Sequence, residues 1–110
     1  DKILEYVEQK CEFGGPDPGN PEPGIMQVFY ENDKVVSVDF LCPCGCGSGC
    51  YTPVTDATKG ETKTTRHWLF SRNKEGAVTL SPSIRYTGGC YAHFNIIDGK
   101  TKFAGDSGKK

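Results

Sequence analysis

From residue 26 onward, apolar and polar positions alternate in short runs separated by Gly, Pro, Asn and Asp, the pattern of strands that bury one face. Met26-Gln27-Val28-Phe29-Tyr30-Glu31 predicts a strand and Asn32-Asp33 a turn. Lys34-Val35-Val36-Ser37-Val38-Asp39-Phe40 predicts the returning strand, with Val36, Val38 and Phe40 on one face. Residues 65–70 and 77–80 read as a third and a fourth strand around the turn Asn73-Lys74-Glu75-Gly76, and Ser81-Pro82-Ser83-Ile84 reads as a break that ends the fourth. Residues 93–97 predict a fifth strand, Asp98-Gly99 a tight hairpin turn, and residues 100–104 the strand that returns from it. The polar stretch 53–64 reads as a loose excursion and the tail 105–110 as frayed. The expected fold is mainly β: a small antiparallel domain rich in turns.

The first 25 residues differ in character. Ile3, Leu4 and Val7 suit either a short helix or a strand, in a segment too short to be stable alone. Residues 14–24, almost entirely Gly, Pro, Asp, Asn and Glu, have the composition of a linker. The only methionine, Met26, follows directly. The expected organisation is therefore an N-terminal segment over residues 1–25 and one domain over 26–110.

Composition narrows the function classes. Thirteen basic and fourteen acidic residues leave a net charge of −1 with no basic stripe, which argues against nucleic acid as a partner. No apolar run reaches the roughly 18 residues of a membrane span, and no secretory segment opens the chain. At 110 residues a single domain buries a limited core, so a metal staple makes physical sense.

Four of the six cysteines fall within residues 42–50, as Cys42-Pro43-Cys44-Gly45-Cys46-Gly47-Ser48-Gly49-Cys50. Thiols this crowded cannot all form disulfides with one another, because each bond needs a fixed Cα separation and torsion. One soft cation can take several thiolates at once, and zinc takes four at about 2.3 Å in a tetrahedron. Cys90, from the segment Cys90-Tyr91-Ala92-His93, supplies a distant ligand. The first choice of shell is Cys42, Cys44, Cys46 and Cys90, with Cys50 and His93 as rivals. The alternative is a disulfide-stapled secreted domain. Cysteines clustered as ligands rather than spread as a framework favour a reducing, cytoplasmic setting.

A four-cysteine shell is closed, and closed shells are structural. That frees His93 for another role. Ser83 lies ten residues before it, at the Pro82 break. A Ser–His pair is the minimum for nucleophilic acyl transfer, with Gly88 and Gly89 or Gly45 and Gly47 as sources of backbone N–H groups for an oxyanion. Asp39, Asp98 and Asn95 are candidates for a third member. Taken alone, Ser83 reads more simply as a turn-capping hydroxyl, and His67 as a strand residue beside Trp68.

The stretches Phe40-Leu41-Cys42-Pro43-Cys44-Gly45-Cys46-Gly47, His67-Trp68-Leu69-Phe70, Val78-Thr79-Leu80-Ser81-Pro82-Ser83-Ile84 and the run 90–103 occur in an order that resembles the BubE-type Cys-rich proteins associated with bacterial ubiquitin-like conjugation genes. The resemblance covers residues 26 to about 104 and does not include Cys50. It implies serine-type proteolysis of a ubiquitin-like protein, by trimming its C-terminal tail or releasing it from targets. It also implies Ser83 as nucleophile, His93 as general base, and structural zinc on Cys42, Cys44, Cys46 and Cys90. On this reading Glu12-Phe13-Gly14-Gly15 is similar to the Gly-Gly end of a ubiquitin-like protein, a substrate segment joined to the enzyme. Two other readings stand beside it. One is a non-catalytic zinc-bound β module that binds a ubiquitin-like or other protein by strand addition. The other is a zinc hydrolase with His93 as a ligand and an open metal position.

Overall fold

The computed structural model describes residues 2–62 and 66–109. Among the described residues, short β-branched and aromatic runs form eight strands: β1 (Val7–Glu12), β2 (Ile25–Glu31), β3 (Lys34–Leu41), β4 (Gly49–Asp56), β5 (Trp68–Arg72), β6 (Val78–Arg85), β7 (His93–Ile97) and β8 (Lys100–Phe103). They form one sheet in sequence order. Two neighbouring pairs, β1–β2 and β4–β5, are parallel, and the other neighbours are antiparallel. The sheet curls until Glu5, just before β1, bridges to Lys100 of β8. Phe40, Phe70, Phe94, Met26, Leu80 and Ile96 fill the interior. Phe94 is the hub of its edge-to-face contacts, meeting Phe40, Tyr86 and Phe103 at centroid distances of 6.4, 6.4 and 6.3 Å.

The mainly β expectation matches this architecture, and four departures have local causes. Of the two conformations open to the first ten residues the chain takes the strand: β1 pairs with β2, and Tyr6 enters the core against Phe40 and donates its hydroxyl to the Leu41 carbonyl at 2.5 Å. Residues 2–25 thus share a sheet and a core with the chain beyond Met26. On β3 the buried apolar side chains are Val35, Val38 and Phe40, while Val36 is only half-buried. Phe29 pairs with Ser37 but Tyr30 pairs with Val35, so Val36 is the extra residue of a bulge, and the alternation changes face there.

The stretch 53–64 is not all loose. Its first residues belong to β4, where Cys50, Thr52 and Val54 are buried in alternation and Thr55 and Asp56 are both buried. β4 pairs with β3 as far as Pro53 and with β5 from Val54 onward, so Pro53 sits where the strand changes partner. A short 3-10 turn, Ala57–Lys59, follows, capped by the Asp56 carboxylate, which accepts from the Thr58 amide at 2.9 Å. The third predicted strand is displaced to β5: Thr65 lies outside the described residues, and His67 immediately precedes the strand. Finally, Ser81-Pro82-Ser83-Ile84 does not end the fourth strand. β6 continues through it to Arg85 with a shift in register.

Candidate functional site

The register shift in β6 decides where Ser83 lies. Leu80 pairs with Ile96 and Ile84 with Phe94, so four steps along β6 match two along β7. The surplus residues leave the ladder, and Ser83 stands among them beside the start of β7. Its Oγ is 2.9 Å from Nε2 of His93. The other ring nitrogen, Nδ1, is 2.7 Å from Oδ1 of Asp106. A carboxylate only accepts hydrogen bonds, so Nδ1 carries the proton; in the neutral ring Nε2 is then free to accept from the Ser83 hydroxyl.

Asp106 belongs to the tail expected to fray. It does not fray in this structure. The Asp98-Gly99 turn, with both residues at positive φ (53° and 78°), fixes the β7–β8 register, and Ala104 N–H donates to the His93 carbonyl at 2.9 Å. The chain then folds back: Ser107 Oγ accepts from His93 N–H at 3.0 Å, and Gly108 N–H donates to the Tyr91 carbonyl at 2.8 Å. Asp106 is thereby delivered to the imidazole, and Arg85 pairs with its second oxygen. The His93 hydrogen bond, aided by the Arg85 charge, holds the Asp106 carboxyl below the usual carboxylate range. The three carboxylate and amide candidates named from sequence lie elsewhere. Asp39 is on β3, Asp98 in the β7–β8 turn, and Asn95 on β7, and among the described residues it is Ser83 and Asp106 that engage the His93 ring. No described hydrogen bond joins Gly45, Gly47, Gly88 or Gly89 to Ser83. Trp68 Nε1 donates to the Ser83 carbonyl at 3.4 Å.

Ten residues of chain connect Ser83 to His93, and Cys90 lies within that connection. The sulfurs of Cys42, Cys44, Cys46 and Cys90 all lie within 4.8 Å of one another. Cys42 Sγ is 3.4 Å from Cys44 Sγ and 3.7 Å from Cys90 Sγ. A tetrahedron with metal–sulfur bonds of about 2.3 Å has ligand edges of about 3.8 Å, so the group fits a single ion of that size. The backbone makes this possible because Gly45 and Gly47 take φ of 92° and 87°, left-handed values that let the loop return between successive ligands. Cys42 N–H closes the loop onto the Ser48 carbonyl at 2.7 Å. Burial pushes the Cys42 and Cys44 thiols up, whereas Cys46, at the exposed side, is brought down to about 6 by its hydrogen bond with Ser48. Deprotonating the buried pair calls for a cation among them.

All six cysteines are free thiols. The two rival ligands fall outside the cluster. Cys50 is buried on β4 against the Thr52 hydroxyl at 3.4 Å, and His93 has both ring nitrogens engaged elsewhere. The four-cysteine group can hold a metal ion with no His ligand.

The family model described as "Bacterial ubiquitination-like system serine protease (BubE)" matches residues 13–104. Comparison with curated proteins and with solved structures finds no match. Asp106 lies just beyond the matched region.

Proposed function

The chain belongs to the BubE family, and from that premise we propose that Ser83, His93 and Asp106 are the catalytic triad of a serine peptidase acting on the C-terminal tail of a ubiquitin-like protein. The observation that carries this reading is the continuous relay of hydrogen bonds, 2.9 Å from Ser83 to His93 and 2.7 Å from His93 to Asp106. The family description supplies the reaction class, and the geometry supplies residues able to perform it. His93 Nε2 takes the Ser83 proton as Oγ attacks the scissile carbonyl, and then returns it to the departing amine, leaving an acyl-enzyme. Water, deprotonated by the same nitrogen, releases the acid and restores Ser83. Asp106 keeps the ring in the required tautomer and stabilises the imidazolium that forms in each half.

The second part of the proposal is structural zinc on Cys42, Cys44, Cys46 and Cys90, a donor set whose softness and spacing suit that ion. Bound zinc would hold two loops together and supply no reacting group. A zinc-hydrolase role would need an open position, and His93 is committed to Ser83 and Asp106. Such a thiolate site suits a reducing compartment such as the cytoplasm. No described helix is long and apolar enough to cross a membrane.

The test is intact mass over time. The zinc-loaded protein and its Ser83→Ala variant are each mixed with a ubiquitin-like protein whose C-terminus extends past Gly-Gly. Cleavage by the parent and not by the variant, with metal content and melting temperature unchanged, is the expected result. Binding of the tail without cleavage by either would replace the peptidase with a non-catalytic binding module.

A further inference from the structure

On the outer face of the sheet, away from the core, the loop of residues 13–20 arches over β2, β3 and β4 and leaves a cavity of ≈ 330 Å³. None of its lining residues belongs to the triad or the cysteine cluster. The register explains the lining. Gln27 pairs with Asp39, Phe29 with Ser37, and Asp39 with Tyr51, so these five side chains share the face opposite Val28, Val38 and Phe40.

The chemistry of this hollow is one-sided. Glu12, Asp17 and Asp39 line it, together with the rings of Phe13, Phe29 and Tyr51, and the lining contains no Lys, Arg or His. Phe13 and Tyr51 are 50% and 63% exposed, so their rings are accessible to a guest. Two further oxygens are unpartnered. Gln27 and Ser37 are each 1% exposed, yet the Gln27 side-chain carbonyl and the Ser37 hydroxyl have no hydrogen-bond partner among the described residues. The orientation of the Gln27 amide is fixed, because its nitrogen donates to the Gly19 carbonyl at 3.0 Å and to Gln9 Oε1 at 3.4 Å, both acceptors. Its carbonyl oxygen is therefore the group left over. Asp39 forms no ion pair among the described residues, and burial raises its carboxyl above the ordinary range.

Carboxylates, free acceptor oxygens and aromatic faces all favour one kind of guest, a group that brings donors and positive charge. We infer that this hollow is a recognition site for a cationic side chain, a lysine ammonium or an arginine guanidinium, presented by a polypeptide partner. Phe13, Phe29 and Tyr51 would flank the cation, Asp39 would neutralise it, and Gln27 and Ser37 would accept its hydrogen bonds. The site stands whether or not Ser83 is a nucleophile.

The experiment is a titration of the zinc-loaded full chain, followed by proton–nitrogen correlation spectra. The probes are N-acetyl-arginine amide and N-acetyl-lysine amide, with N-acetyl-norleucine amide as the uncharged control. The expected result is saturable shifts at Gln27, Ser37, Asp39 and Tyr51 with one or both cationic probes and none with norleucine. The tighter probe then identifies the guanidinium or the ammonium as the preferred group. Asp39→Asn should weaken binding at least about tenfold, equivalent to about 1.4 kcal/mol. Tyr51→Ala, at an exposed position that leaves the core untouched, should weaken it as well. Equal shifts with norleucine would make the hollow merely apolar. Shifts confined to other surfaces, or no shifts with any probe so that the buried oxygens serve bound water only, would also overturn the inference.

Discussion

Asp106 sets the direction of the whole relay, because an acceptor on Nδ1 leaves Nε2 as the acceptor for Ser83. Asp106→Asn should preserve the fold and lower kcat by about a thousand- to ten-thousand-fold, since an amide can donate to Nδ1 and stabilise the wrong tautomer. Steady-state kinetics against the parent protein measures it. The same contact has a pH signature. The folded-state pKa of Asp106 is depressed, so the carboxylate contributes stability above its unfolded value, and that contribution is lost as pH falls through the folded value. The difference in melting temperature between parent and Asp106→Asn should therefore shrink on acidification through the range below about pH 4. A gap that widens there would contradict the assignment. The pairing of Ser83 with His93 was anticipated in the sequence, and their roles only by resemblance. Asp106 was hidden by the polar tail around it, but one signal could have found it. A two-residue turn at Asp98-Gly99 makes Ala104 the neighbour of His93, so the residues just after Ala104 must emerge beside the imidazole.

At the level of elements, strict alternation fails where the backbone inserts a residue. Val36 looked like a core position by parity from Val38 and Phe40, yet the bulge on β3 moves Val35 into the core. Val35→Ala should cost about 1–3 kcal/mol in denaturant melts and Val36→Ala clearly less. The reverse order would mean that the bulge is elsewhere. β4 was masked for a different reason. Pro53, the leading Gly49 and three Thr or Asp residues look like loop, but Pro53 falls at the change of partner and the buried polar groups are mostly satisfied. Asp56 is the clearest case: 1% exposed, it accepts from the Val35 amide at 2.8 Å as well as from Thr58. Asp56→Ala should cost about 1–3 kcal/mol by leaving the buried Val35 N–H without its acceptor. A loss of less than about half a kcal/mol, the range of surface substitutions, would show that the strand does not need this cap. β6 repeats the lesson at the site itself. Residues that signal a break by composition instead form a bulge, and that bulge presents Ser83.

Across the whole molecule, the cysteine cluster spans the two halves of the sheet. β1–β4 and β5–β8 meet through the short parallel ladder of Val54, Thr55 and Asp56 with Trp68, Leu69 and Phe70, and again where the sheet curls round to the Glu5–Lys100 bridge. Cys42, Cys44 and Cys46 follow β3 in the first half, and Cys90 precedes β7 in the second. An ion shared by these four sulfurs would tie the halves together three residues from His93. The first residues brace the same loop, since Ile3 N–H donates to the Pro43 carbonyl at 2.6 Å and Tyr6 reaches Leu41. This arrangement separates a structural metal from a catalytic one by kinetics. With a structural metal, chelation should abolish peptidase activity at the rate at which the near-ultraviolet signal of the packed aromatic core is lost, because His93 is misplaced only when the loop opens. Instant loss of activity with an unchanged spectrum would instead put the ion in the chemistry. Serine in place of Cys42, Cys44, Cys46 or Cys90 should reduce bound zinc and lower the melting temperature by at least about 10 °C, taking about 4–8 °C per kcal/mol for a domain of this size. Cys50→Ser should leave one zinc per chain, because Cys50 packs against Thr52 outside the cluster. Loss of zinc in Cys50→Ser, with zinc retained in Cys90→Ser, would reassign the fourth ligand and remove the tie between the halves.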